Sequence, residues 1–327
     1  NPDCPPEQRY KAIAGDWEIG LVGFVSGDGL HWRQIREEPL MTDGAFDSHN
    51  LAFWDNLRKR YVCYSRYFIR PTPKAPLFSG IRAIQSCESA DFLNWGPQRP
   101  NVYGEGVPLE HFDANAVIPC PGAEHMYLSF PMRFMPERYK IDGFHKAGVS
   151  DSVFMSSRDG THWDREFLEA WVRPGRDRRN WTARSLIVAR GIIDTTPDEF
   201  SFYICEHYEW NDAYIRRLVI PRHRFASVRA GYGEGGFVTK PVIFEGSRFI
   251  INYSTSAAGS VYVQLEDEDG NPIPGFGFGD CEPIFGDELD RAVVWNGASG
   301  LSFLAGKPVR IRFKLKDADI YAFRFTY

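Results

Sequence analysis

Apolar residues in this chain gather in short runs, such as Tyr61-Val62-Cys63-Tyr64, His125 to Phe130 and Phe200 to Cys205, and Gly-, Pro-, Asn- and Asp-rich stretches separate them. Short runs bounded by turn formers predict β-strands, and no segment carries helical periodicity. Three of the separating stretches share a pattern: Ser26-Gly27-Asp28-Gly29-Leu30-His31-Trp32, Ser89-Ala90-Asp91-Phe92-Leu93-Asn94-Trp95 and Ser157-Arg158-Asp159-Gly160-Thr161-His162-Trp163. Their aspartates are 63 and 68 residues apart. Each lies between two strands and predicts a hairpin turn, in which Ser and Asp accept from backbone N–H groups and Gly supplies a positive φ.

A second repeat runs in phase with the first. Phe46 to Phe53, Phe112 to Pro119 and Trp181 to Val188 each open on an aromatic residue, pass through polar residues and end apolar, with first residues 66 and 69 apart. A repeat of roughly 65 residues holding about four short strands predicts a propeller blade. The apolar ends form the inner strand and the polar starts face the axis. A second strand follows each (Tyr61 to Tyr67, His125 to Arg133, Phe200 to His207), and in a meander its end returns to the level where the first began. Arg66, Arg133 and Glu206 are therefore expected on the face that holds Asp47, Asp113 and Arg184.

The units are expected at 44–100, 110–173 and 180–230, while 9–36 supply only the outer strands of a further unit. An absent wall exposes strand edges, here along 9–36 and at Leu51 to Trp54. Sequence upstream of Asn1, or pairing into a homo-oligomer, is expected to close the propeller. From about residue 232 the texture changes to longer alternating strands with Gly/Pro-rich connections. This predicts a propeller domain at 1–231 and a β-sandwich at 232–327.

Composition narrows the partners. The chain has 327 residues, 38 Lys+Arg against 43 Asp+Glu and a net charge of −5, so it has no basic excess for nucleic acid. No apolar run is long enough for a membrane helix; the longest, Ser185 to Ile193, is broken by Arg190. The six cysteines, Cys4, Cys63, Cys87, Cys120, Cys205 and Cys281, form no CxxC pair, and four of them sit in or beside apolar stretches, as buried reduced thiols do. Gly231 to Gly236 fits GxGxxG, but a strand follows it, so no dinucleotide is expected. No metal or other cofactor is expected either, and a secreted or periplasmic location is favoured over a cytoplasmic one.

The Gly44 to Asn50 segment, the repeated turns, Cys205-Glu206-His207-Tyr208, the Leu265 to Phe276 stretch and Lys316 to Asp319 resemble, across nearly the whole chain, a group of bacterial proteins related to glycoside hydrolase family 32. More broadly the chain resembles the five-bladed β-propeller glycosidases of families 32 and 43, which carry an appended β-sandwich. The resemblance implies an all-β fold, upstream sequence for an earlier blade, an axial active site and a carbohydrate substrate. The N-D-P-N, R-D-P and E-C motifs of fructosidases do not occur as such, so the plan transfers and individual roles do not.

Glycoside hydrolysis uses two carboxyl groups, one protonated and one ionised. Asp47, Asp113 and Glu206 are the acids at the expected mouth: Glu206 as general acid, Asp47 as base or nucleophile, and Asp113 as modulator of both. Glu206 follows an apolar run, a setting that raises a carboxyl pKa by desolvation. His49, Asn50, Asn115 and His207 are candidates for bonding sugar hydroxyls. Arg66, Arg133 and Arg184 are expected at the same mouth, where guanidinium groups suit a uronic-acid or sulfated glycan. Trp181 and Tyr67 are candidates for stacking on a sugar ring. The rival reading of the same residues is a carbohydrate-binding protein without catalysis.

Overall fold

The computed structural model describes residues 1–327, and its regular structure is almost wholly β: 24 strands and three short 3-10 turns. The chain forms two compact units, residues 1–193 with 202–218, and residues 194–201 with 219–327.

The first unit is a β-propeller of antiparallel sheets. One is a three-stranded meander, Tyr10–Asp16, Gly20–Ser26 and Arg33–Gln34. The next is a four-stranded meander, Leu51–Asp55, Arg60–Ile69, Ile81–Ser89 and Arg99–Pro100. A third runs through Ile118–Cys120, Ala123–Ser129, Met155–Ser157 and His162–Asp164, with Val102–Tyr103 parallel at its outer edge. Beyond Phe130 and Pro131 the chain continues into a smaller sheet of His111–Phe112, Met132–Met135 and Val149–Ser152. Ile187–Val188 pairs with Glu199–Glu206 in the register Ile187↔Cys205.

The repeated turns each lead into the last antiparallel strand of a sheet, and their hydrogen bonds match one another. Ser26 Oγ accepts from Gly29 N at 2.9 Å, Ser89 Oγ from Phe92 N at 2.9 Å, and Ser157 Oγ from Gly160 N at 2.8 Å. Each aspartate Oδ1 accepts the backbone N–H groups two and three residues on, at 2.8 to 2.9 Å. Each tryptophan Nε1 donates to the carbonyl three residues before it. The fourth position needs φ near +80°: Gly29 (79°) and Gly160 (83°) adopt it freely, whereas Phe92 is held at 73° with its ring buried between Tyr61 and Trp95.

Large side chains lock neighbouring sheets together. Tyr64 stacks against Phe53 and meets Trp163 edge-on, and its hydroxyl donates to Gly160 O at 2.8 Å. Each such buried aromatic contributes roughly 1.5–3 kcal/mol through its removal from water. Leu21, Leu40 and Met41 pack on Phe46, Tyr61 and Cys63, and Leu51 is buried while Phe53 and Trp54 are half-buried. The flank Leu51 to Trp54, expected to stand open, is therefore covered, since Arg60–Ile69 and the first meander pack over it.

The second unit holds an antiparallel sheet in the order Val228–Ala230, Arg310–Thr326, Arg248–Glu266 and Asp287–Ala292, with Gly235–Val238 also paired to Arg310–Thr326. Val228–Ala230 fell on the propeller side of the sequence-derived boundary; its partner is Ile320 to Ala318 of the second unit. The alternating segments 249–255 and 260–265 are one 19-residue strand, as 309–315 and 320–325 are one 17-residue strand. The small residues between them form register shifts rather than turns: a Cβ on Gly259 would lie 2.5 Å from Asp317 O. Phe249, Tyr253, Val263, Trp295 and Phe313 fill the core, where Trp295 Nε1 donates to Val263 O at 2.9 Å.

Candidate active site

The polar segments before the inner strands, and the stretch that follows Glu206, are backbone-strained. Phe46, His49, Ala116, Arg184, Leu186, His207 and Glu209 all have positive φ, seven of the twelve non-glycine residues that do. Strain of this kind costs about 1–3 kcal/mol per residue and concentrates at functional sites, which marks these segments together as the candidate mouth.

Arg66 is its centre. The guanidinium is buried at 3% exposure, and it bridges Asp47 (2.7 Å), Ser48 and Asp113. Ser48 Oγ donates to Asp113 Oδ1 at 3.2 Å, and Arg82 Nε lies 3.8 Å from Asp113 Oδ2. Burial pulls the Arg66 pKa down to about 10 and the Asp47 charge opposes it, while Arg82 and Arg184 add repulsion. Arg66 still carries its charge at neutral pH and holds two aspartates from successive sheets in ionic contact. Asp113 is almost fully buried, whereas a quarter of the Asp47 side chain faces solvent.

His49 and Asn115 latch the two sheets. His49 Nδ1 accepts from Asn115 N at 3.1 Å, and Asn115 Nδ2 donates to His49 O at 3.1 Å. Asn115 Oδ1 accepts from Val117 N, so both polar atoms of its amide are bonded within the protein. Burial, with the Arg190 and Arg66 charges, pushes the His49 pKa down to about 4, which keeps Nδ1 free to accept. Asn50 Nδ2 donates to Phe46 O, and its Oδ1 is buried without a partner.

Arg133, expected beside Asp113, instead forks Asp151 (2.6 and 2.9 Å) and reaches Glu110 (3.0 Å). Its strand pairs Arg133 directly opposite Asp151, which captures the side chain. Arg184 N donates to Ser150 Oγ at 2.9 Å, while its charge acts on Arg66 and Arg82.

Glu206 sits next to this segment, since Leu186 N donates to Cys205 O at 2.8 Å and Tyr208 N to Ser185 Oγ at 3.3 Å. Its carboxylate accepts from Arg216 (2.7 and 3.0 Å) and from Tyr214. Burial pushes the Glu206 pKa upward, but bonds from Arg216, Tyr214 and Asn180 outweigh it and hold the group below the usual carboxylate range. The expected upward shift is thus reversed, because the following strand supplies a guanidinium. His207 bonds Asp177 (2.8 Å) and Asp212 (3.1 Å) through its two ring nitrogens. Its ring is committed to those carboxylates.

Arg82, Ser48 and Arg216 take part in these contacts and were not singled out from sequence. Arg82 lies near the start of the strand Ile81–Ser89. Trp181 lines a cleft of about 460 Å³ with Arg133, Ser150 and Asp151, and its Nε1 donates to Gly175 O at 2.8 Å. No group of three or more metal-ligating side chains is present, all six cysteines are free, and no helix is long and apolar enough to cross a membrane.

No protein-family model and no curated protein matches the chain. Among solved structures it is similar to an N-acetylgalactosamine deacetylase from F. plautii in complex with blood group B trisaccharide, at 10% identity and a TM-score of 0.37, over 93% of this chain and 65% of that one. It is also similar to a family 43 arabinoxylan arabinofuranohydrolase from Bacillus subtilis, at 10% identity and a TM-score of 0.35, over 97% of this chain and 78% of that one. A family 32 β-fructofuranosidase of Bombyx mori matches at 10% identity and a TM-score of 0.37, over 96% and 76% of the two chains. The chain spans less than two thirds of the deacetylase. The reading of the site rests on its own side chains.

Proposed function

We propose that the protein is a carbohydrate-active enzyme that hydrolyses glycosidic bonds at the mouth around Asp47. The observation that carries the reading is a partly exposed carboxylate, Asp47, ion-paired with a buried guanidinium, Arg66, that also holds the buried Asp113.

Hydrolysis sends a proton to the leaving glycosidic oxygen and a hydroxyl to the anomeric carbon. One carboxyl must therefore arrive protonated and the other ionised. Asp47, ion-paired with Arg66, suits the ionised role, as the nucleophile or as the base that takes a proton from water. Glu206 suits the donor role once Arg216 is drawn away. The Arg216 side chain is half exposed, so a glycan hydroxyl or carboxylate can displace it, and burial then raises the Glu206 pKa. Asp113 holds Arg66 in place.

The test is release of sugar from a panel of aryl glycosides and oligosaccharides by the wild type, Asp47→Asn and Glu206→Gln. Turnover by the wild type with a loss of at least about a hundredfold in each variant is expected, as for removal of an acid or base. Full rates in both variants refute the assignment. The second reading, a glycan-binding protein without turnover, draws support from the Arg216 fork that keeps Glu206 ionised. Calorimetric binding without product at high protein concentration selects it.

A further inference from the structure

The cleft beside Trp181 contains charge that the rest of the molecule leaves unbalanced. Arg133 at its wall is already neutralised by Asp151 and Glu110. Arg138 and Arg173 also line it, both exposed, and neither has a carboxylate within ion-pair range. Arg173 begins a segment that adds Arg176 and Arg178, while Arg179 is paired with Asp212 and the one acid of the segment, Asp177, is bonded to His207. In a chain of net charge −5 this is a local basic excess. The bond from Trp181 Nε1 to Gly175 O fixes the indole against the rim of the same cleft.

Unpaired guanidinium groups and a fixed indole lining one cleft match one chemistry. Planar N–H forks take carboxylate or sulfate oxygens two at a time, and an indole face takes the C–H face of a sugar ring. The volume, about 460 Å³, falls in the ordinary range of small-ligand sites. Ser150 connects the cleft to the mouth, because its hydroxyl accepts from Arg184 N.

We propose that this cleft binds an anionic saccharide, a sugar unit bearing a carboxylate or a sulfate, with Arg138 and Arg173 holding the anion and Trp181 stacking on the ring. The inference rests on the carbohydrate reading above and adds the charge of the substrate. Nucleic acid is the weaker candidate, since a phosphate backbone calls for a basic surface extending beyond one cleft.

The test is calorimetry on the full chain with three probes: trigalacturonate, its carboxyl-reduced galactose counterpart, and a sulfated form of that neutral trisaccharide. At low salt the uronate or the sulfate is expected to bind at least about tenfold more tightly than the neutral sugar, with the preference shrinking as salt rises. The tighter of the two arms names the anionic group. The double variant Arg138→Ala/Arg173→Ala is expected to lose the preference while keeping the wild-type melting temperature, since both side chains are exposed. Trp181→Ala is expected to weaken all three probes together. Equal affinity for the neutral trisaccharide, a preference that survives the double variant, or tighter binding of a single-stranded oligonucleotide overturns the inference. Turnover of neutral aryl glycosides separates the two proposals: binding of the acidic probe without any turnover removes the hydrolase, and turnover without acidic preference removes the anion site.

Discussion

Replacing Arg66 with methionine tests the centre of the site. Methionine keeps most of the length of the side chain and removes the charge that joins Asp47, Ser48 and Asp113. Asp47 is a quarter exposed and recovers most of its hydration. Asp113 is buried and keeps only Ser48 and a guanidinium at 3.8 Å. Breaking a buried ion pair from one side costs about 3–5 kcal/mol because the remaining charge is stranded. Burial already works against the Arg66 charge, as its lowered pKa shows, and Arg82 remains nearby, so about 3 kcal/mol is expected at neutral pH. Chemical denaturation followed by aromatic fluorescence measures it, with the transition of the first unit analysed separately from that of the second. The pH dependence carries a sign. A stranded, buried Asp113 titrates above its unfolded value, so the folded variant binds more protons and its deficit narrows as pH falls. The double variant Arg66→Met/Asp113→Asn is expected to recover at least half of the loss. A cost below about 1 kcal/mol for Arg66→Met, or no recovery in the double variant, refutes the view of Arg66 as a buried clamp.

Gly160→Ala places a Cβ 2.8 Å from the Tyr64 hydroxyl at φ +83°, whereas at Gly29 the nearest atom is 3.7 Å away at φ +79°; melting curves are expected to show about 3 kcal/mol lost at 160 and about 1 kcal/mol at 29. His49 has its pKa lowered to about 4, so the folded state binds fewer protons than the unfolded one and stability rises with pH between about 4 and 6.5. His49→Asn, a residue that tolerates positive φ, is expected to flatten that slope, worth roughly 3 kcal/mol at most; an unchanged slope places the titration elsewhere. Glu206 has its pKa lowered, so its contribution is present at neutral pH and lost as pH falls through the folded value. Arg216→Met is expected to raise the Glu206 titration, followed by carboxyl NMR, and to cost stability at neutral pH by an amount that narrows as pH falls; an unmoved titration refutes the role of Arg216.

The parts of this structure that sequence revealed are those whose forces act over a few residues. The Ser-x-Asp turns bond their own backbone, so three copies declared themselves by composition and spacing alone. The meeting of Asp47, Arg66 and Asp113 followed from meander geometry, since the end of one strand must return to the start of its neighbour. The long strands of the second unit were hidden at 256–259 and 316–319, where bulges use the same small and acidic residues as turns do.

Glu206 and Arg133 show what a strand-by-strand reading omits. For Glu206 the apolar run before it gave the sign of the desolvation effect correctly. The net shift has the opposite sign because Arg216, ten residues later on the following strand, returns to the carboxylate through two bonds. For Arg133 the diverting partner is Asp151, which the register places opposite it on Val149–Ser152, a strand too short and polar to be recognised in advance. In both cases the first strand alone fixes the level of the charged side chain, and the strand beside it decides whether that charge faces the mouth. An ionisable group at the end of a propeller strand is therefore assigned by pairing it first with the charged residues of the adjoining strands. Arg66 and Arg133 are taken by that step, whereas Arg184, half-buried, and Arg138 and Arg173, exposed, keep guanidinium groups without a carboxylate and are free to meet an anion from solution.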